Sequence, residues 1–370
     1  MEYGELLESE IRKTGFVLEN AVANRLKDEG WTVISGKYYV DDVSEETVRE
    51  IDLLAYRVSK FEQIDVYTVL IISCKKSDGN VWALLARGAN LNDPNTDWYP
   101  LHVWSNDPAL SHQLTRPSKA RSYHDEVTAL GAAEAVGVPK VDVFAFQEMS
   151  RTTGKPANDK AIFSAITTLV KAQAYELNVL PDRKKTPSVY QFNLLSVVGS
   201  EMYRLMFDDA GDISCAPIDS EDYLARYIVR KRDSFSRIRF VTESGVDRTL
   251  AAYRALHTAN GKWFESEHRA FYADVMKDDE RIRSLLAQFV KRVRFLINWR
   301  AEEAFKGVEM GEPTLSWNAF DSEVKVGYFV PENVLGWLNG HEEIRKHVRD
   351  ALASIYRYTG AFSFERDVPF

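Results

Sequence analysis

Along the first 90 residues the spacing of apolar positions changes from a helical to an extended period. Phe16, Val17, Ala21, Val22 and Leu26 recur at helical spacing, and Gly30 follows as a stop signal. β-Rich runs then occupy Trp31 to Val40, Ile51 to Val58 and Val66 to Ile72. The last of these, VYTVLIIS, is nearly all apolar, as expected of a strand buried on both faces. Pro139 to Leu180 predicts another strand, VDVFAFQEM, followed by a helix beginning near Asp159. This alternation of helix and apolar strand predicts an α/β layer with a covered sheet.

Residues 88–125 are rich in Asn, Asp, Pro and Ser and read as a long loop or insertion, a feature that is often functional. PDRKKTP at 181–187 reads as a linker-like break. Val189 to Val198 and Ile238 to Thr242 follow as strands, and Val246 to Lys306 is helical almost throughout. The tail predicts a short strand near Val324 to Val330 and a helix from His341 to Tyr358. The expected organisation is a domain over 1–180, a β-rich continuation or small second domain over 188–245, and a mainly helical region over 246–370.

The 370 residues fit two or three domains at roughly 150 residues each. A net charge of −8 excludes a protein that coats nucleic acid by bulk charge, but not one with a local basic groove. Two cysteines, Cys74 and Cys215, cannot build a four-cysteine zinc site and argue against a secreted disulfide framework. The start, MEYGELLESEIRK, is acidic where a secretory signal would be basic and then apolar. No run of about 18 apolar residues occurs, so a cytoplasmic protein without a membrane anchor is expected.

The residues that carry chemistry are Glu19 on the first helix, Asp52 at a strand start in REIDLLAY, and Ser73 and Lys75 at the end of the buried strand in IISCKKS. A carboxylate on one strand, a lysine at the end of the next and an acid on the preceding helix can converge at one edge of a sheet. Hard divalent cations take such oxygens, and an ammonium beside them can orient water and stabilise charge building on a phosphate. No glycine-rich phosphate loop follows a strand, so nucleotide chemistry has no support.

GFVLE, REIDLLAY and LIISCKKSDGNVWALL, over about residues 14–90, together resemble the PD-(D/E)XK, restriction-endonuclease-like superfamily, and within it the Mrr-like bacterial proteins. The resemblance implies a central mixed sheet flanked by helices, with a mostly helical C-terminal region. It also implies a Mg2+- or Mn2+-dependent phosphodiesterase acting on DNA, in the setting of bacterial restriction or phage defence. By it, Asp52 is a metal ligand, Lys75 the catalytic lysine, Glu19 a helix acid near the metal and the Cys74 carbonyl a backbone ligand. The family places an acid two residues before the lysine; this chain has Ser73, whose neutral hydroxyl is a much weaker ligand. Glu50 projects to the same strand face as Asp52 and is the first candidate to compensate; Asp78 in the following loop is the second. Two outcomes stay open: a site that borrows an acid, or a nuclease fold that binds nucleic acid or a partner without cutting.

Basic residues cluster. Arg226, Arg230, Lys231, Arg232, Arg237 and Arg239 crowd together with Tyr227 and Phe235; Lys291, Arg292, Arg294 and Arg300 share a helix with Phe295 and Trp299; Arg116, Lys119 and Arg121 lie in the long loop. Such groups can follow a phosphate backbone, and Arg230, Lys231, Arg232, Arg237, Lys291, Arg292 and Arg294 are the expected nucleic-acid contacts. The C-terminal helices are as suited to dimerise as to contact DNA, and a homodimer or a protein partner is a further expectation. Gln173 reads as an exposed helix residue rather than an auxiliary site residue; His124, Asp125 and Glu126 read as a surface polar cluster, and Glu265, Glu267 and His268 as a solvated helix face.

Overall fold

The computed structural model describes residues 3–41, 47–229 and 231–367. Helices α1 (Tyr3–Arg12) and α2 (Phe16–Asp28) precede strands β1 (Thr32–Val40), β2 (Val48–Phe61), β3 (Ile64–Lys76) and β4 (Asn80–Gly88). The segment expected as an irregular loop holds a short strand β5 (Val103–Ser105) and two helices, α3 (Pro108–Leu114) and α4 (Lys119–Val127). Asp107 caps α3, its carboxylate accepting from the Leu110 N–H at 2.9 Å, a local signal that the polar composition conceals. After α5 (Ala133–Val136) come β6 (Val141–Ser150), α6 (Lys160–Arg183), β7 (Ser188–Gly199), β8 (Met202–Phe207), β9 (Ile213–Ile218), β10 (Ser220–Val229) and β11 (Arg232–Thr242). The chain closes with α7 (Val246–Tyr272), α8 (Asp279–Ala304), β12 (Thr314–Asn318), β13 (Glu323–Tyr328), α9 (Glu332–Gly340), α10 (Glu342–Tyr356) and β14 (Phe362–Arg366).

The chain forms two compact units, residues 1–106 with 117–264, and residues 107–116 with 265–370. In the first, a seven-stranded sheet runs β1-β2-β3-β7-β11-β10, with β5 on β7. It is mixed: β1, β2 and β3 are antiparallel, whereas β7 lies parallel to both β3 and β11. β7 therefore sits at the centre, and 188–245 is a continuation of the sheet. PDRKKTP is correspondingly no linker: α6 continues through Pro181 to Arg183, and β7 begins at Ser188.

One face of this sheet, with Leu54, Val69, Ile71 and Phe240, packs against α6 and a second sheet of order β6-β4-β8-β9, where Trp82 meets the Phe240 ring edge-on at 5.6 Å. The opposite face carries α2 on β1 to β3. It also carries the first half of α7, whose His257 and Asn260 bond the buried Thr68 hydroxyl at 3.0 and 2.9 Å. Those bonds explain why the boundary falls at 264 rather than at the expected 246: the first half of α7 belongs to the sheet. Burial, and secondarily Arg57, pushes His257 down to about 4. The folded chain thus binds this proton less readily than the unfolded one, whose histidine titrates near ~6.5. Its contribution to stability should be complete above that pH and decline as pH falls toward 4. Urea unfolding of His257→Gln across this range should show a flatter dependence than the native chain.

The second unit packs the buried side of α8 (Phe289, Val293, Ile297) with Val348, Leu352 and Tyr356 of α10 and the three-stranded sheet β12-β13-β14. Asp278 caps α8, accepting from the N–H groups of Glu280 and Arg281 at 3.0 and 3.1 Å.

Candidate active site

The antiparallel pairing of β2 with β3 ends at Leu53 and Ile72, although both strands continue: residues 48–51 of β2 pair with β1, and β3 pairs with β7 as far as Lys76. The two strands splay, and the gap exposes a backbone edge that would ordinarily be bonded. Asp52 fills it. Its Oδ2 accepts from the Cys74 N–H at 2.7 Å, from the Ser73 hydroxyl at 3.2 Å and from the Lys75 ammonium at 3.3 Å. Its Oδ1 has no hydrogen-bond partner among the described residues. Since the N–H and C=O of one strand residue point to the same side, the Cys74 carbonyl opens toward the same gap.

Glu19 reaches this edge because α2 lies close over it. Leu18, Val22 and Leu26 anchor the helix in the core, and Glu19 stands in its first turn. Gly199, at the end of β7, permits the approach: a Cβ there would lie 3.2 Å from Leu18 Cδ2 and 3.6 Å from the Lys76 Cα. The Glu19 carboxyl is held above the usual carboxylate range by burial and by the negative charges of Asp52 and Glu50, with Lys75 acting against them. The structure thus gathers Glu19, Glu50, Asp52, Ser73 and Lys75, as the sequence suggested. Glu50 is exposed and leans over Gly36, whose ideal Cβ would be 3.5 Å from Glu50 Oε1.

Asp78 does not join them; it pairs with Lys76 at 3.2 Å. Lys76 also donates to the Arg12 carbonyl at 2.8 Å, which separates the two neighbouring lysines. Burial pushes the Cys74 thiol well above its ordinary value, with Asp52 and Glu19 adding to the effect, so it is no thiolate nucleophile. Among the described residues, no three His, Cys, Asp or Glu side chains form a ready metal cage. The donors that fit a hard cation are the open oxygen of Asp52, Glu19, Glu50 and the Cys74 carbonyl. Burial is the larger cause of the rise at Glu19; the smaller part, repulsion from Asp52 and Glu50, is the kind a cation relieves. Ser73 is fully buried and adds no charge.

Several expectations are corrected. Arg237 and Arg239 are not phosphate contacts. Strand alternation turns both inward from β11, where Arg237 donates to the Gly137 carbonyl at 3.0 Å and Arg239 grips Asp222 at 2.9 and 2.8 Å. Arg230 lies outside the described residues. Lys231 and Arg232 are exposed at the β10–β11 turn, and Lys291, Arg292 and Arg294 are exposed on α8. Arg226 pairs with Asp233 at 2.8 Å. Gln173 is buried rather than exposed, its carbonyl accepting from the Ser236 hydroxyl at 3.0 Å. His124 is a core residue bonded to the carbonyls of Val136 and Pro100 at 3.0 and 3.2 Å, not part of a surface cluster. Glu267 and His268 are likewise buried, Glu267 accepting from Gln113 at 2.9 Å. These are helix faces that tertiary packing covers, which a polar sequence does not reveal.

A buried cluster not foreseen from sequence is Asp41, whose carboxylate takes the Lys171 ammonium at 2.8 and 3.0 Å and also binds Arg49. No family model matches the chain, and neither a curated protein nor a solved structure does. No helix among the described residues is long and apolar enough to cross a membrane.

Proposed function

We propose that the splayed end of β2 and β3 is the active site of a divalent-metal-dependent phosphodiesterase on a restriction-endonuclease-like core, acting on DNA in restriction or phage defence. The observation that carries this reading is the Lys75 ammonium 3.3 Å from Asp52 Oδ2, where the paired strands β2 and β3 part. Glu19 and Glu50 are near enough to be felt electrostatically. Asp52, Glu19, Glu50 and the Cys74 carbonyl would hold Mg2+ or Mn2+. That ion supplies Lewis-acid charge and a lowered pKa for water. Lys75 has three donors, of which Asp52 takes one. The others are free to orient the attacking water and to stabilise charge on a non-bridging phosphate oxygen as the P–O bond to the leaving sugar breaks. Lys231, Arg232 and Arg292 would give salt-dependent affinity for the backbone.

The second reading, a nuclease fold that binds without cutting, is favoured by Ser73. Buried and donating to Asp52 at 3.2 Å, it stands where the family carries a charge.

Ser73→Asp separates the two. The new carboxylate would lie buried beside Asp52, so thermal stability should fall in EDTA and recover with Mg2+. Cleavage of supercoiled plasmid with Mg2+ and Mn2+ decides between the readings. Cleavage by the native chain supports the enzyme with a borrowed acid. Cleavage by Ser73→Asp alone supports the binding reading. Absence of both cleavage and Mg2+ stabilisation in either chain rejects a metal site.

A further inference from the structure

We propose that a recess between the C-terminal half of α6 and the sheet binds a small aromatic anion, one ring system carrying a single carboxylate or phosphate. The recess has a volume of about 280 Å³. It stands apart from the strand gap and does not rest on the function proposed above: Tyr67 in its lining and Lys75 at the gap lie on the same strand, about 26 Å apart at ~3.3 Å per residue. Protein interiors hold few voids larger than a water molecule, so a space of this size on a core face needs a cause. Over its first turns α6 lays Ile162, Ala165, Ile166 and Leu169 in the core; further along it buries Glu176 instead. The strands change from aliphatic to aromatic residues at the same place. Tyr67 and Tyr190 are register partners on β3 and β7, and their rings stack at 4.1 Å with planes 5° apart. Tyr56 on β2 lies 5.8 Å from Tyr67, and Phe192 continues the row 6.3 Å from Tyr190. Lys184 fixes the stack by donating to the Tyr67 hydroxyl at 2.8 Å. A planar ligand adds one more ring to such a row.

Charge selects the other end of the ligand. Glu176 is 1% exposed, and a carboxylate buried that deeply requires a partner. It has two. Lys37 Nζ lies 2.5 Å from its Oε1, and Arg183 Nη2 donates to its Oε2 at 3.0 Å. Two cations on one anion leave the lining with a surplus positive charge. Neither Lys37 nor Arg183 has another ion-pair or hydrogen-bond partner among the described residues. Most of their donors, three on the ammonium and five on the guanidinium, are therefore uncommitted. The Tyr56 hydroxyl also has no hydrogen-bond partner among those residues. A carboxylate or phosphate at this end neutralises the surplus, and the Arg183 fork suits either group. Ile34, 39% exposed, and the Arg183 side chain, 47% exposed, give the recess its opening to solvent. Ligand pockets usually start near 300 Å³, so about 280 Å³ takes a molecule of one or two rings and no more than one nucleotide.

Calorimetric titration of the full chain tests this with ribonucleoside 5′-monophosphates, benzoate and indole-3-acetate, each beside its neutral nucleoside or amide, and with inorganic phosphate. At least one of the aromatic anions should bind once per chain with a Kd of about 1 mM or tighter, and its neutral counterpart and inorganic phosphate about tenfold more weakly or worse. A preference for the nucleotides over the two carboxylates, or the reverse, tells which anionic group the site takes. Arg183→Gln leaves Glu176 its pair with Lys37, so the fold should persist by circular dichroism while binding weakens about tenfold or more. Arg183→Lys should retain more affinity than Arg183→Gln, and Tyr56→Ala should weaken binding by a similar factor through loss of the ring. Should Tyr56→Ala not fold, Arg183→Gln decides. Absence of binding by every probe overturns the proposal and leaves the recess to water. Equal binding of the neutral counterparts overturns it, as does affinity unchanged in Arg183→Gln, which places the ligand elsewhere.

Discussion

Replacing Lys75 with alanine is expected to lower divalent-metal-dependent cleavage of supercoiled DNA by about 10²–10⁴-fold, the range spanned by a positioned proton-transfer or charge-stabilising group. The fold should survive. Lys75 is about one-quarter exposed, and its ion pair among the described residues is with a similarly exposed Asp52. Such a pair contributes about 0–1 kcal/mol, within the scatter of a thermal melt. The Cys74 N–H and Ser73 hydroxyl continue to hold Asp52 in place when the lysine is gone. Single-turnover cleavage at saturating protein separates the step from binding, and DNA affinity measured across salt concentrations should be nearly unchanged. Lys75→Arg should recover only part of the rate, because a planar guanidinium keeps the charge but not the compact, rotatable donor set. Equal cleavage by Lys75→Ala and the native chain would remove the splayed edge from the chemistry altogether.

The largest stability effect should come from a residue remote from that chemistry. Asp222→Ala is expected to destabilise the first unit by about 3–5 kcal/mol, the usual cost of leaving one member of a buried ion pair alone. Asp222 faces two inward arginines on β11: it binds Arg239 at both oxygens, and its charge is also felt by Arg237. Burial alone would raise the Asp222 carboxyl, but the two guanidinium groups outweigh it and hold it below the ordinary value. The unfolded chain therefore protonates this group first. Its stabilisation should be complete above about pH 4, the unfolded value, and lost as pH falls through the lower folded one. Urea midpoints for Asp222→Ala and the native chain should converge in acid. A midpoint shift that persists unchanged below about pH 3, well under the unfolded value, would locate the cost elsewhere.

Much of the fold was legible because its strongest elements are long and periodic. VYTVLIIS reads as a doubly covered strand and lies between two neighbours in the sheet. The helix after Asp159 and the long helices after Val246 follow from apolar spacing alone. The candidate site was legible because its residues fall in a short stretch of chain, on the second helix and on two of the strands that follow it. What escaped was decided by partners far away. Arg237 and Arg239 share a basic stretch with Lys231 and Arg232, and only the covering segment near Gly137 and the facing Asp222 turn two of the four inward. Gln173, His124 and Glu267 look solvated in sequence and are buried for the same reason. The α3 and α4 helices were hidden by Pro and Asn, which favour loops but also start helices.

One carboxylate oxygen at the strand gap both closes the backbone and meets the lysine. Asp52 caps the Cys74 N–H that β2 abandons when it parts from β3, so this acid is part of the sheet's construction. Under the proposed function, a chain that no longer cut would still need an acceptor at this position, to which the buried Ser73 hydroxyl adds only a second and longer bond. Persistence of Asp52 among descendants would therefore report on folding, and, under the proposed function, gain or loss of an acid at position 73 would report on catalysis.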